Sequence, residues 1–373
     1  MSPRSTDLGA RLACLILALS APALAQPKDK DKDKGKGDKK PPAAAAAVEK
    51  VTIVTTSGKK IEGAEIKEDK FASIKYKPSR GPEEAIKGEE VAEIRFENAH
   101  PGLPSGLSQM NAGLYERAVK SFTAARNAAK DGTLQKIHAS FWLGEALRHL
   151  GKDEATKAAL DEYARVPADC WLAPRALYGL GLAQAAAGKQ AEALASFKKL
   201  DTGFGERWRL QGKLGEGNAL LALKKAGDAR QAFEIANSGA TGRQPDLARE
   251  AQVGIGQAYV LDKRYDDAVK FFDRILGERG VDAESGGGAW AGKGDCRYAQ
   301  ALEKGNNKDL LQEALLAYLT SSTRFAGSSS YARALYMAAE IYAKLGKPDQ
   351  AKHQANELRS RFPDSPYVGK LPK

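Results

Sequence analysis

The sequence predicts a mainly α-helical fold, an α-solenoid of about seven helix-turn-helix repeats, preceded by a small antiparallel β-barrel and a disordered linker. Three observations predict it. From about Ala99 onward apolar residues recur at helical spacing and the sequence becomes self-similar. Between Val48 and Asn98 they alternate with period two between turn signals. Gln26 to Ala47 contains nothing that can build a core. The bulk composition agrees: of 373 residues 42% are hydrophobic and 28% charged, so most of the chain folds. With 37 Gly and 16 Pro it is not collagen-like, and three cysteines exclude a disulfide-stapled mini-protein.

Residues 1–25 read as a secretory signal peptide. Arg4 and Arg11 form a basic start, Leu12 to Leu19 is apolar, and Ala23-Leu24-Ala25 is a cleavage site before Gln26. The apolar run is too short to cross roughly 30 Å of hydrocarbon, and no other segment approaches a membrane helix. Cys14 raises a lipoprotein alternative, but the apolar core follows it. The expected location is therefore outside the cytoplasm, periplasmic or bound to the cell envelope. Such a compartment permits a bridge between Cys170 and Cys296, the two cysteines beyond the signal, but their wide separation does not predict one, and two buried small hydrophobes are the better reading.

Residues 26–47, QPKDKDKDKGKGDKKPPAAAAA, form a lysine-aspartate linker whose seven lysines outnumber four aspartates. It is a spacer, or a weak attractor of anionic envelope polymers. Residues 48–98 follow. Lys50 to Thr56, the run through Ile61, Ala64 and Ile66, Phe71 to Lys77, Ala85-Ile86 and Val91 to Phe96 predict five short strands. This pattern resembles Src-homology-3-like barrels of bacterial envelope proteins, although no aromatic cluster for proline-rich peptides is present.

In residues 99–373 the best copy of the repeat is Ile255-Gly256-x2-Tyr259 followed by Tyr265-x2-Ala268-x3-Phe272. Others are Leu143-Gly144-x2-Leu147 with Thr156-x3-Leu160, Leu180-Gly181 with Ala193-x3-Phe197, and Gly217-x2-Leu220 with Ala229-x3-Phe233. Gly113-x-Tyr115-x2-Ala118-x3-Phe122 is half of the first, and Tyr342, Gly346, Ala351 and Pro363 mark the last. A sixth copy is irregular: Trp290-x3-Gly294 and Ala314-x3-Tyr318 are separated by about eight extra residues, expected near Lys304 to Lys308. The small residues opening the second helices are spaced by 38, 37, 36, 39, 46 and 37. The pattern resembles that of tetratricopeptide repeats, W-x2-L-G-x2-Y then A-x3-F. The resemblance implies paired helices, a superhelix with a concave face, and a protein-binding rather than a catalytic role.

No motif supports catalysis. Gly287 to Gly294, GGAWAGKG, comes within one residue of a phosphate loop, but Gly294 stands where a hydroxyl residue would bind Mg²⁺. A glycine-rich turn entering a helix explains it. His100, His138, His149 and His353 have no metal-ligand spacing and read as surface or groove histidines. Cys170 lacks a nucleophile signature, and no G-x-S-x-G elbow occurs. The formal charge of +11 is spread along the chain, without the clustered patch that nucleic-acid binding needs. No cofactor is expected.

The resemblance puts the ligand on the inward face of each first helix. Register places Phe141, Glu145, Arg148, Tyr178, Asn218, Gln257, Tyr336 and Glu340 there. Aromatics among polar residues suit an extended peptide or helix. The lysine-asparagine set that clamps C-terminal carboxylates in some relatives is absent. Arg361-Phe362-Pro363-Asp364-Ser365-Pro366-Tyr367 resembles the inter-repeat turn of outer-membrane-assembly and Tol-Pal-associated proteins, and leaves the last repeat uncapped, with self-association as one way to cover it. The expected role is a non-catalytic scaffold or assembly factor for envelope proteins or peptides. The alternative is a binder of peptidoglycan or anionic glycans through the basic linker and solenoid surface.

Overall fold

The computed structural model describes residues 49–363 and 365–371. The signal peptide, Cys14 and the 26–47 linker lie outside the described residues. The described chain divides into two compact units. One holds residues 49–143 and 165–172, the other residues 144–164 and 173–371.

The first unit begins with five strands: β1 Lys50–Thr55, β2 Lys60–Glu68, β3 Ile74–Lys77, β4 Glu84–Ile86 and β5 Val91–Phe96. Alternation buries Val51 and Ile53 in β1 and Ile74 and Tyr76 in β3; Ala64 is buried in β2, and in β5 a register shift opposite Val54 and Thr55 lets both Val91 and Ile94 be buried. All pairs are antiparallel, in the order β4-β3-β2-β1-β5. Among the described residues these pairings make one antiparallel sheet with β4 and β5 as its outer strands, a coarser statement than the expected barrel. The β4 edge is three residues long and carries Glu84 beside Glu83, which protects it from further pairing.

Side chains and backbone tie this sheet to helical residues of the same unit. Glu49 accepts from Leu134 N at 2.8 Å, satisfying a donor at the start of a helix. Asp69 accepts from Trp171 N at 3.0 Å, and Phe71 N donates to Asp169 O at 2.6 Å. Burial pushes the Asp69 carboxyl up to about 6, against the lowering effect of the Trp171 N–H. His138 is buried, not a surface histidine. Its Nε2 accepts from Trp171 Nε1 at 3.0 Å, and it meets Phe96 edge-on at 4.8 Å.

Fourteen helices follow, as seven first-second pairs. They are α1 Gly102–Asn111 with α2 Tyr115–Ala128, α3 Leu134–Leu150 with α4 Asp153–Ala164, and α5 Ala173–Ala186 with α6 Gln190–Lys198. Then come α7 Glu206–Ala222 with α8 Ala226–Ala240, α9 Pro245–Leu261 with α10 Tyr265–Leu276, α11 Ala283–Glu303 with α12 Lys308–Arg324, and α13 Tyr331–Lys344 with α14 Pro348–Arg361. The turn inside each pair carries a residue in the left-handed region: Gly113, Gly151, Gly188, Lys224, Lys263, Asn306 and Gly346.

The aromatic of each second helix sets the spacing between helices. In α5, α7, α9 and α11 a Gly-x-Gly places two glycines one residue apart. The second meets the ring of its own repeat and the first meets the ring of the preceding one. A Cβ on Gly217 would lie 2.6 Å from the Phe233 ring, and one on Gly254 2.5 Å from the same ring. Phe197 sits likewise between Gly181 and Gly215, Phe272 between Gly256 and Gly292, and Tyr163 between Gly144 and Gly179. Each of these rings is at most 2% exposed. Glycine inside a helix costs up to about 1 kcal/mol against alanine. Burying a whole aromatic side chain offsets that cost.

Two expectations are corrected. The extra residues of the sixth repeat do not lengthen its turn. They lengthen its helices, since α11 has 21 residues and α12 has 17, joined by Lys304 to Asn307. The last repeat is not bare either. Phe362, Tyr367, Val368 and Leu371 pack against Tyr331, Leu335 and Leu358, so self-association is not needed to cover them.

Gly254→Ala is expected to destabilise the protein by about 1–3 kcal/mol through overpacking against Phe233. Gly227→Ala in α8, where a Cβ meets nothing within 4 Å, is expected to stabilise it by up to about 1 kcal/mol. Urea denaturation of the two variants beside the parent measures both, and equal effects would remove close packing as the reason for the glycines.

Candidate functional site

Successive first helices α5, α7, α9 and α11 lie beside one another, so residues at one register position form a row. The candidate residues of the first helices differ in how much of them remains for a partner. Phe141 is only 4% exposed, with its ring edge 5.1 Å from Trp142, and is a core residue rather than a contact surface. Glu145 and Arg148 are brought together. Arg148 Nη2 donates to Glu145 Oε2 at 2.7 Å, and Tyr163 Oη donates to Glu145 Oε1 at 2.5 Å. Burial works against the Glu145 charge, but Arg148 and the hydrogen bonds outweigh it and hold the carboxyl below its ordinary value. Burial, followed by Arg148, brings neighbouring His149 down to about 4, so it is neutral at pH 7. These side chains are committed to one another.

Tyr178, Asn218 and Gln257 are half-buried. The Tyr178 ring packs against Phe197 at 5.6 Å, and burial, then the charge of Glu250 on α9, raises its hydroxyl pKa. At the far end Tyr336 is hydrogen-bonded to Glu340 and stacks on Tyr367 at 5.3 Å and 20°.

The structure adds residues that the sequence reading missed. Asp295 receives Tyr318 Oη at 2.5 Å and both guanidinium nitrogens of Arg333, Nη1 at 2.9 Å. This repeats the Glu145–Tyr163–Arg148 arrangement, with the arginine supplied by the next first helix. A rule links the two. Where the ring against a repeat's own first-helix glycine is tyrosine, an acid follows that glycine, Glu145 after Gly144 and Asp295 after Gly294. Where it is phenylalanine, the residue there is Leu182, Asn218 or Gln257. A buried hydroxyl needs an acceptor, and the acid supplies one. The signal was available, because Asp295 holds the register position of Asn218, Gln257 and Glu340. Arg175 and Arg333 likewise stand three residues before Tyr178 and Tyr336. Burial, then Arg207, lowers the Arg175 pKa to about 10. Burial raises Glu250 to about 7, assisted by Glu284, Asp282 and Asp246.

Comparison with known proteins fits this geometry. Tetratricopeptide-repeat family models match residues 175–201 and 333–365 in one case and 214–289 in another. Within the helical part these segments match the tetratricopeptide-repeat pattern. A tetratricopeptide repeat protein from Parabacteroides merdae superimposes with a TM-score of 0.53 at 15% identity, covering 72% of this chain and 95% of that one. The Rap protein complexed with Competence and Sporulation Factor superimposes with a TM-score of 0.50 at 15% identity, covering 72% of this chain and 78% of that one. These likenesses establish the fold. No curated protein matches the sequence.

Within this repeat fold the phosphate-loop-like GGAWAGKG is neither loop nor turn. It lies inside α11, where Gly292 meets Phe272, Gly294 meets Tyr318 and Gly287 meets Ser328. The expected glycine-rich turn is thus a helix thinned for packing. Cys170 and Cys296 are buried and form no disulfide. Burial pushes the Cys296 thiol up to about 12. Among the described residues no group of three His, Cys, Asp or Glu converges as a metal site, and no helix is long and apolar enough to cross a membrane.

Two predictions separate structural from available groups on this face. Arg148→Met strands Glu145, whose side chain is 16% exposed, and is expected to cost about 3–5 kcal/mol. Adding Glu145→Leu should recover part of that loss in urea denaturation. A double variant no better than the single one would show that the pair is not coupled. Glu250 has a raised folded pKa, so its contribution is fully present below the unfolded value of 4.5 and is lost as pH rises through about 7. Glu250→Gln should therefore raise Tm at pH 8 relative to the parent and leave it unchanged near pH 4. A Tm gain independent of pH would contradict this origin.

Proposed function

We propose that the protein is a non-catalytic scaffold that holds an extended segment of partner proteins on its first-helix face, in the periplasm or cell envelope. The observation that carries this reading is a half-buried set on the adjacent helices α5, α7 and α9: Asn218 and Gln257 at one register position, and Tyr178 one turn before that position on α5. An aromatic among amides, with Glu250 close enough to shift the Tyr178 hydroxyl, suits backbone and side-chain recognition of a peptide. The Rap protein, complexed with Competence and Sporulation Factor, is a precedent for binding by a fold of this kind. The exported location is supported by Arg4, Arg11, the apolar run after them and the Ala23-Leu24-Ala25 cleavage site.

A second reading, an anionic envelope polymer as ligand, is favoured by one observation. The last repeat and its tail expose Lys352, Arg359, Arg361 and Lys370, and the 26–47 linker is lysine-rich.

Crosslinking pull-down from an envelope extract tests both readings. Mature protein beginning at Gln26 should capture a small set of proteins, and Tyr178→Ala with Gln257→Ala should lose them. Capture unaffected by the double variant would overturn the first-helix face as the binding surface. Recovery of glycan instead, weakened by salt, would transfer the assignment to the polymer.

A further inference from the structure

The segment that follows α14 is held in an unusual way. Phe362 N still donates to Leu358 O of α14 at 2.9 Å, and beyond it the backbone bonds are local: Ser365 N donates to Phe362 O at 3.0 Å, Val368 N to Ser365 O at 3.0 Å and Lys370 N to Tyr367 O at 3.1 Å. A 3-10 turn, Val368–Lys370, completes it. Its hold on the last repeat comes from side chains. Tyr367 stacks on Tyr336, and Val368 and Leu371 lie against the cluster of Tyr331, Leu335 and Leu358. These three side chains are half-buried, while Pro366, Gly369 and Lys370 between and beside them are exposed. The contact is shallow, and such segments open at low free energy. It also ends on Tyr336, a residue of the first-helix face, next to Glu340.

We propose that Ser365–Leu371 is a built-in ligand of the first-helix face at the last repeat, and that the partner segment taken there has the same chemistry: a tyrosine followed at the first and fourth positions by aliphatic side chains. This inference rests on the peptide-scaffold reading and names the partner's chemistry at one end of the face. Because the tail is joined to its site, its effective concentration is in the millimolar range. A partner therefore binds more weakly to the closed form by the fraction that is open. The tail is a threshold: only a segment that matches or exceeds it is retained.

The test uses the full chain and a fluorescein-labelled synthetic peptide with the sequence of residues 362–371. A loosened-tail variant combines Tyr367→Ser, Val368→Ser and Leu371→Ser. It is expected to bind the peptide at least tenfold more tightly than the parent in fluorescence anisotropy, and Tyr336→Ala in the same background should remove the gain. Equal binding by parent and loosened variant, or a gain indifferent to Tyr336, would make the tail a fixed cap and overturn the proposal. Hydrogen exchange on the parent is a second measurement that needs no variant. Amides of Tyr367 to Leu371 should exchange at least tenfold faster than those of α13, and faster again with excess unlabelled peptide. Protection equal to α13 would also overturn it. Either failure leaves the Tyr178 and Gln257 pull-down untouched, so a fixed tail and a mistaken scaffold assignment are told apart.

Discussion

The middle of the helical part depends on one packing arrangement: in the second to fifth repeats an aromatic ring of the second helix is seated between a glycine of its own repeat and a glycine of the next. The ring fills the space that two absent Cβ atoms leave, and with them it fixes how closely three helices approach. No helix pair satisfies this alone. The first helices α7 and α11 are poor helices by composition, rich in glycine, and are helical because rings on both sides are buried against them. Stability is therefore shared along the array rather than stored in any one repeat.

The ring position also governs what the first-helix face can offer a partner. Tyr163 and Tyr318 bring a hydroxyl into the core, and each hydroxyl takes an acid, which in turn takes an arginine. Polar side chains at those two places are consumed by the fold. Where the ring is phenylalanine, the equivalent position is left to Leu182, Asn218 or Gln257. The face thus has internally neutralised stations in the second and sixth repeats, and stations between them that carry amides and Tyr178.

Much of this was legible in the sequence, for reasons that can be named. Strand positions from Lys50 to Phe96 followed from alternation, which the register shifts beside Val51, Thr55 and Ile66 interrupt without moving the strands. Seven repeats followed from the recurrence of Ala or Thr at the start of each second helix. Closure of the sheet was not legible, since alternation says which face is buried and not which edges meet. Gly287 to Gly294 misled because glycine signals a turn locally, and only the ring of the neighbouring repeat reveals why a helix tolerates it there. Phe141 was placed on the binding face by register alone, which is blind to what covers that face. Asp295 was legible, one residue after Gly294 as Asn218 is after Gly217, but was passed over in a repeat whose second half is irregular. Glu145 and Arg148 stood on the right face, but a position on a helix wheel does not show that a tyrosine from another helix has already claimed them.

The Gly-x-Gly pairs carry a consequence for how such an array can grow or shrink. Each pair faces two rings, one behind and one ahead, so a cut made in the loop between repeats always parts a ring from one of its glycines. A cut made between the two glycines, inside a first helix, leaves every ring with both. The unit that can be copied or deleted without repair therefore runs from the middle of one first helix to the middle of the next. In packing terms the repeating unit of this chain is the span between successive Gly-x-Gly pairs rather than the visible hairpin.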